Sequence, residues 1–414
     1  MSLFTPSTGI LETHVTWEDV EEAMQKALDT EAVFGNNRKA TNIGDLRGFM
    51  SRIALIDADW QGAQGSETLP AKFAVKISSQ LGHLGLSKIL GGDQFDEEKL
   101  EKLQEFTMEF HDREVEAYKC LMRFGHPDIP YIRVYHLKPF TSKTDLKGFM
   151  IFDFVSNVYP MGMHQSIPAD DLRQLVRGVA TFSALGESLS QEEKQKFGGP
   201  EFLEIGLREF FSDEQLERQF QTLRTLFNGS ELVENAIQIF WQYTKLLSKY
   251  TKVSELLGFK LILNHCDLWQ TNVLHSMGND GKLKLEAIID WQGVARLPAG
   301  FDMARMLVGC LSAKDRRESG DSLLQLYYKT FTEALGEELF TFKELQDSYN
   351  LFFPMKTMLI APLIMSFLDA QSSTSDEDKK KYREENKEKL QALLEDVIEI
   401  HEQNLNKYPE FFDI

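Results

Sequence analysis

A chain of 414 residues is too long for one small core and points to two or three units, which two packed lobes would fit. Its 42% hydrophobic and 26% charged residues are those of an ordinary globular protein, which excludes a disordered or fibrous chain. A formal net charge of −19 argues against nucleic acid as a partner, because neutralising phosphates takes a stripe of Lys and Arg that this chain lacks. Cys120, Cys266 and Cys310 have neither the pairing nor the spacing of a disulfide framework or zinc site, which fits a reducing, cytoplasmic setting. Met1-Ser-Leu-Phe-Thr-Pro has no basic segment followed by an apolar stretch, so no secretory signal is expected.

In chain order, the first expected element is a helix from Trp17 to Phe34. Val20, Ala23, Met24, Ala27 and Leu28 recur there at three- and four-residue steps behind Thr16. From Ala40 to Ile56 a segment punctuated by Gly44 and Gly48 becomes strand-like after Phe49, the outline of a hairpin covering nucleotide phosphates. Gly44, Gly48 and Ser51 are its candidate binding positions. The segment lacks a G-x-G-x-x-G pattern, and its weight comes from Phe73-Ala-Val-Lys76-Ile downstream. A lysine on a strand that follows a glycine loop is the arrangement that holds ATP phosphates. The plain alternative for Lys76 is a solubility residue on an edge strand.

A buried lysine needs a counter-charge. Glu114 lies on an expected helix with Val115, Tyr118, Leu121 and Met122, and it is the preferred partner. Glu116 competes but sits on a different side of that helix from Tyr118. Residues 81–108 either shape a substrate entrance or decorate the first lobe. Tyr131 to Leu137 and Gly148 to Val155 read as strands. The second ends in Asp153, Phe154 and Val155, where a hinge would offer backbone groups to adenine unless Asp153 merely caps a strand exit.

Beyond this point the pattern is helical. Asp170 to Leu189 places Leu172, Leu175, Val176, Val179 and Phe182 on one face, and helices also fit Leu232 to Tyr250, Ser322 to Leu335 and Lys343 to Leu368. Pro354, Lys356 and Pro362 interrupt the apolar run from Leu351 to Leu368, so a buried helix is expected there and no membrane anchor. A solvated charge run, Asp376 to Lys389, leads into a last amphipathic helix carrying Leu390, Leu393, Leu394, Val397 and Ile398.

Between Ile262 and Gln292 polar residues stand at fixed places in apolar segments. His265-Cys266-Asp267 followed by Asn272 reads H-x-D-x-x-x-x-N, and Asp290 closes Ile288-Ile289-Asp290. That is the spacing of a kinase catalytic loop followed by a metal-binding aspartate. Phosphoryl transfer needs an oriented hydroxyl and neutralised phosphate charge. Asp267 is therefore the candidate base, and Asn272 and Asp290 are the candidate Mg²⁺ ligands. Asn279-Asp280-Gly281 offers the turn of an antiparallel pair that brings the two segments to one strand end, with His265 bracing the loop. Taken alone, Asp267 is also a turn residue and Asp290 a strand-end carboxylate.

Asn264-His-Cys-Asp-Leu-Trp-Gln-Thr-Asn272 with Ile289-Asp-Trp-Gln292 resembles the choline kinase and aminoglycoside phosphotransferase superfamily, most closely its ecdysteroid-kinase-like branch in animals. Ala40-Thr-Asn-Ile-Gly-Asp, Lys76-Ile-Ser-Ser and Ile167-Pro-Ala-Asp-Asp resemble the uncharacterised nematode members of that branch, and the likeness runs over residues 15–405. It implies an α+β, bilobal protein-kinase-like fold. Residues 1–155 form an antiparallel-sheet N-lobe with a helix, and 156–414 a mainly α-helical C-lobe. It also implies ATP, Mg²⁺ and transfer of the γ-phosphate to a small-molecule hydroxyl. Lys76 and Glu114 match the phosphate clamp, Asp267 the base, and Asn272 with Asp290 the metal ligands. His265 and Asp302 match supporting positions, although Asp302 equally suits a helix N-terminal cap.

The family usually has Gly where Cys266 stands, so a positive φ there would cost free energy. After Asp290 the D-F-G and A-P-E landmarks of protein kinases are missing, which favours a small acceptor over a protein. Sterol, amino-alcohol, sugar and glycoside acceptors all remain open. Trp241, Trp269 and Trp291 suit either a quaternary ammonium or a core. The second functional reading is a catalytically idle regulator that binds nucleotide or a metabolite. Hydrolase signatures, a G-x-S-x-G elbow or an H-E-x-x-H pair, are absent from the sequence.

Overall fold

The computed structural model describes residues 2–44, 50–63, 68–82, 97–201, 203–204, 212–370 and 375–413. Gly48 and most of the 81–96 stretch lie outside the described residues. The chain divides into two compact units, Met1–Arg123 with Tyr131–Asn157, and Phe124–Pro130 with Val158–Ile414.

The first unit is built on a five-stranded antiparallel sheet. Its elements in chain order are α1 (Trp17–Leu28), β1 (Val33–Phe34), β2 (Lys39–Asn42), β3 (Ser51–Asp57), β4 (Trp60–Gln61), β5 (Lys72–Ser78), α2 (Glu97–Phe124), β6 (Val134–Lys138) and β7 (Phe149–Asp153). The sheet order is β2-β3-β5-β7-β6. Alternation along β5 sends Phe73, Val75 and Ile77 into a core with Val20, Met24, Phe34, Ile56 and Phe149, and leaves Ala74 and Lys76 on the opposite face.

Helix α1 stops at Leu28 and does not reach Phe34. Asp29 takes a left-handed conformation (φ 51°, ψ 52°) whose N–H closes on Gln25, and Val33–Phe34 then pairs with Trp60–Gln61. The apolar pattern continued past the helix because Phe34 is a core residue from a strand, wedged between Trp17 and Trp60. Strand β7 also ends early, at Asp153, whose own carboxylate accepts the Phe154 N–H and takes it out of the ladder.

The second unit is mainly helical: α3 (Ala169–Gly186), α4 (Asp213–Leu226), α5 (Glu231–Lys245), α6 (Gly300–Cys310), α7 (Ala313–Leu335), α8 (Phe342–Ala370) and α9 (Asp376–Lys407). Its core joins Phe220, Phe240, Tyr243, Tyr250, Phe301, Phe352, Met358 and Leu393. Helix α7 begins nine residues before the expected Ser322, because Ser312 caps it by accepting the Asp315 N–H. The charge run from Asp376 is itself helical and continuous with the amphipathic segment, capped by Ser375. Helix α8 is long and apolar enough to span a membrane by length and composition, yet 78% of its most apolar stretch is buried inside the fold. No disulfide joins Cys120, Cys266 and Cys310, all of which are buried.

Four short strands hold the segment of interest: β8 (Leu261–Asn264), β9 (Val273–Met277), β10 (Leu283–Ile288) and β11 (Ala295–Pro298). β9 pairs with β10, and β8 with β11, each antiparallel. This nesting sets the loop leaving β8 against the loop leaving β10. Ser183 Oγ anchors the outer pair by donating to the Leu263 carbonyl at 2.6 Å.

In the first unit, His111 is buried, donates from Nε2 to the Lys138 carbonyl at 2.8 Å, and has its pKa pulled down to about 4, mainly by desolvation. Between that value and 6.5 the unfolded chain binds more protons than the folded one, so stability falls as the pH drops through this window. The expected loss is about 3 kcal/mol by pH 4. Urea denaturation from pH 7 to pH 4, with hydrogen exchange in β6 as the local readout, should show this slope in the wild type. His111→Gln should show a shallower slope, what remains coming from other imidazoles that burial holds low, His136 and His275 among them.

Candidate active site

Lys76 on β5 donates from Nζ to Glu114 Oε2 on α2 at 2.6 Å, and their side chains are 12% and 1% exposed. Strand alternation turns Lys76 away from the apolar core. Tyr118, one turn after Glu114, packs on Phe152 at 4.8 Å and seats the helix so that Glu114 meets the lysine. Glu116 instead accepts from Lys119 at 2.6 Å.

Gly44 lies two residues past the end of β2, with its N–H on Asn42 Oδ1, and is closely packed. A Cβ there would sit 3.1 Å from the Ile53 side chain. Ser51 is buried opposite Ser78 in the β3–β5 ladder. Asp153 lies opposite Phe73 in the ladder, three positions from Lys76, and Phe154 and Val155 follow it as half-buried, non-repetitive backbone.

In the second unit the two loops are joined by their own hydrogen bonds. Asn272 donates from Nδ2 to the Asp267 carbonyl at 2.9 Å and to Asp267 Oδ2 at 3.0 Å, while its backbone carbonyl accepts the Ile289 N–H at 3.0 Å. The neighbouring Asp290 is left-handed (φ 63°) and accepts from Gln292 Nε2 at 3.3 Å. The His265 ring is buried. Its Nε2 donates to the Ile289 carbonyl at 3.0 Å, its Nδ1 accepts the Asp267 N–H at 3.3 Å, and its face lies 4.7 Å from Trp291. Gly293 closes the pair of loops, where a Cβ would stand 3.0 Å from the His265 carbonyl oxygen.

Asp302 holds the loop that begins at His265. It is fully buried in the first turn of α6, and its two oxygens accept the N–H groups of His265 at 2.6 Å and Cys266 at 2.8 Å. Burial raises its pKa, opposed by His265 and by these amide bonds. Of the two roles open to it from sequence, the loop takes its carboxylate. Cys266 sits at φ 71°, the left-handed region that a glycine would enter without strain.

Sequence reasoning missed two residues. Arg305, one turn after Asp302 on α6, donates from Nη2 to Asp267 Oδ1 at 2.9 Å and stacks 4.7 Å above the Trp269 ring. Lys356 on α8 is 5% exposed, with its Nζ 3.4 Å from the Phe301 ring centroid. Its pKa is pulled down to about 7, first by burial and then by Arg305, against the upward pull of Cys266, Asp302 and Asp267. The signal for Lys356 was a lone cation breaking an apolar helix, and for Arg305 its i+3 spacing from Asp302. Trp291 is a core residue between His265 and Phe182, and Trp241 packs edge-on against Phe220.

The antiparallel sheet with a strand-borne lysine paired to a helix glutamate, and the helical unit with its aspartate–asparagine loop, make an α+β chain of two compact units. The chain belongs to the DUF1679 family, described as "Uncharacterized oxidoreductase dhs-27", whose model matches residues 3–405. An uncharacterized kinase-like protein of Caenorhabditis elegans is 38% identical over 102 residues, a stretch covering 25% of this chain and 26% of that relative.

Among solved structures, a Plasmodium vivax ethanolamine kinase aligns at 13% identity and TM-score 0.43, covering 92% of this chain and 90% of its own. A spectinomycin phosphotransferase solved with ADP and spectinomycin aligns at 15% identity and TM-score 0.40, covering 94% and 99%.

The left-handed turn at Cys266 sets a measurable preference. Cys266→Gly should keep stability within about 1 kcal/mol of the wild type, relief of strain offsetting the greater freedom of the unfolded chain. Cys266→Val, with a branched Cβ at positive φ, should cost about 2 kcal/mol or more. Denaturant midpoints of the three proteins check this.

Proposed function

We propose that the protein is an ATP- and Mg²⁺-dependent small-molecule O-phosphotransferase. The carrying observation is the hydrogen-bonded set Asp267–Asn272–Ile289, which fixes a carboxylate beside an amide and sets both next to Asp290. Asp267 accepts the proton of the acceptor hydroxyl as that oxygen bonds to the γ-phosphorus and the bond from phosphorus to the ADP oxygen breaks. Lys76, held extended by Glu114, binds nucleotide phosphate oxygens, and backbone groups at Asp153–Val155 meet the base.

The donor set suits Mg²⁺. Asn272 spends its amide N–H groups on Asp267, which leaves Oδ1 for a cation, and Asp290 adds a carboxylate on the pinned neighbouring loop. When bound, the ion neutralises charge developing on the phosphates. His265 and Asp302 position the loop without touching the reacting atoms.

The family's description speaks of an oxidoreductase, but the residues support transfer chemistry. No two glycines stand at G-x-G spacing in the chain, and every described strand pairing is antiparallel, whereas a dinucleotide crevice is made by a glycine turn on a parallel sheet.

Purified protein, Mg²⁺ and labelled ATP incubated with a metabolite extract should yield a phosphorylated product identifiable by mass spectrometry. Asp267→Asn should lower that turnover by about 10²–10⁴-fold while ATP affinity stays within about threefold. Undiminished transfer in Asp267→Asn removes Asp267 from the chemistry. ATP binding without transfer to any acceptor would favour the idle regulator.

A further inference from the structure

We propose that the acceptor alcohol carries an oxyanion, a carboxylate, sulfate or phosphate, received by Lys356, Arg305 and Trp269 beside the base. This rests on the phosphotransferase reading above and names the substrate class of that same site.

Three nitrogen donors gather along the seam between α6, α8 and the catalytic loop, and none has an acceptor among the described residues. Arg305 Nε and Trp269 Nε1 are buried without a hydrogen-bond partner. Lys356 Nζ meets only the face of Phe301, although its side chain is almost wholly buried. Helix periodicity aligns them. Phe301 and Arg305 stand one turn apart on α6, and Lys356 and Phe367 stand on one stripe of α8. Lys356 reaches Phe301, Phe367 meets Trp269 edge-on at 6.3 Å, and Arg305 covers the other ring contact at 4.7 Å. Trp269 follows Asp267 by two residues, and Arg305 bonds that aspartate directly. Arg305 and Trp269 thus stand next to Asp267, the base of the proposed reaction.

A buried lysine over a phenyl ring is poor packing for folding alone, since methionine would fill the volume without a desolvation penalty. Unfilled donors in an apolar seam are likewise costly unless a ligand or an ordered water supplies acceptors. An oxyanion supplies several acceptors at once, in charge-assisted bonds. A protonated amine would meet Arg305 and Lys356, and the nearby carboxylate oxygens are already taken, those of Asp267 by Arg305 and Asn272 and those of Asp302 by the His265 and Cys266 amides. It would also find the Trp269 face occupied by Arg305 and Trp291 enclosed by His265 and Phe182. The seam thus selects against amino-alcohol acceptors and for acidic ones.

The test fractionates a metabolite extract by ion exchange into anionic, neutral and cationic pools before incubation with the full-length protein, Mg²⁺ and γ-labelled ATP. Label should appear from the anionic pool, and mass spectrometry of the product tells carboxylate, sulfate and phosphate acceptors apart. With that acceptor, Lys356→Met should raise KM between about tenfold and a hundredfold, leaving kcat and the KM for ATP near wild type. Lys356→Arg should recover most of the loss. Label arising only from the cationic or neutral pool overturns the inference and leaves the kinase intact, as does an unchanged acceptor KM in Lys356→Met. Label from no pool overturns both readings.

Discussion

The carboxylate of Asp302 is the constraint on which the helical unit's site depends. Buried at the start of α6, it takes the N–H groups of His265 and Cys266 and so fixes a turn that passes through a left-handed, non-glycine residue. A buried acid with raised pKa is costly by itself. Two backbone donors aimed at its two oxygens make it tolerable, and removing it would leave both amides unpaired. From that turn follow the aim of Asp267, the ring position of His265 and the approach of Asn272. The loop is held by α6 from beneath and by the β8–β11 ladder at its side.

The same helix that anchors the loop also loads it with charge. Asp302 and Arg305 stand one turn apart on α6, so one binds the loop backbone while the other binds the side chain of Asp267. Lys356 adds a second buried cation from α8, close enough for Asp302 and Asp267 to raise its proton affinity against burial. Two carboxylates and two cations packed in an apolar seam form a network of specific geometry, and its electrostatics act in low dielectric. The first unit follows a simpler scheme, with one lysine, one glutamate and a sheet face that turns the pair away from the core.

Much of the site could be read in the sequence because it is local. The separation of Asp267 from Asn272 and the turn at Asn279-Asp280-Gly281 are short-range facts, and two facing strands convert them into proximity. Lys76 and Glu114 could be matched from strand alternation and helix facing. Element ends were read less well. Phe34 kept the apolar pattern of α1 while belonging to a strand, and Asp153 ended β7 with a hydrogen bond to its neighbour that no periodicity reveals. The early start of α7 at Ser312 was a capping signal masked by the polar residues after it.

The sequence by itself determined which chemistry-bearing side chains exist, how far apart they stand along the chain, and that a strand-rich part precedes a helical one. Those follow from residue identity and from repeats of two and 3.6 residues. Only the tertiary structure decided that Asp302 serves the loop backbone, that Arg305 claims one oxygen of Asp267, and that Lys356 ends over Phe301 instead of in water. Each of these is a choice of partner across 36 to 55 residues of chain, made by packing between helices and strands, and no local pattern encodes it.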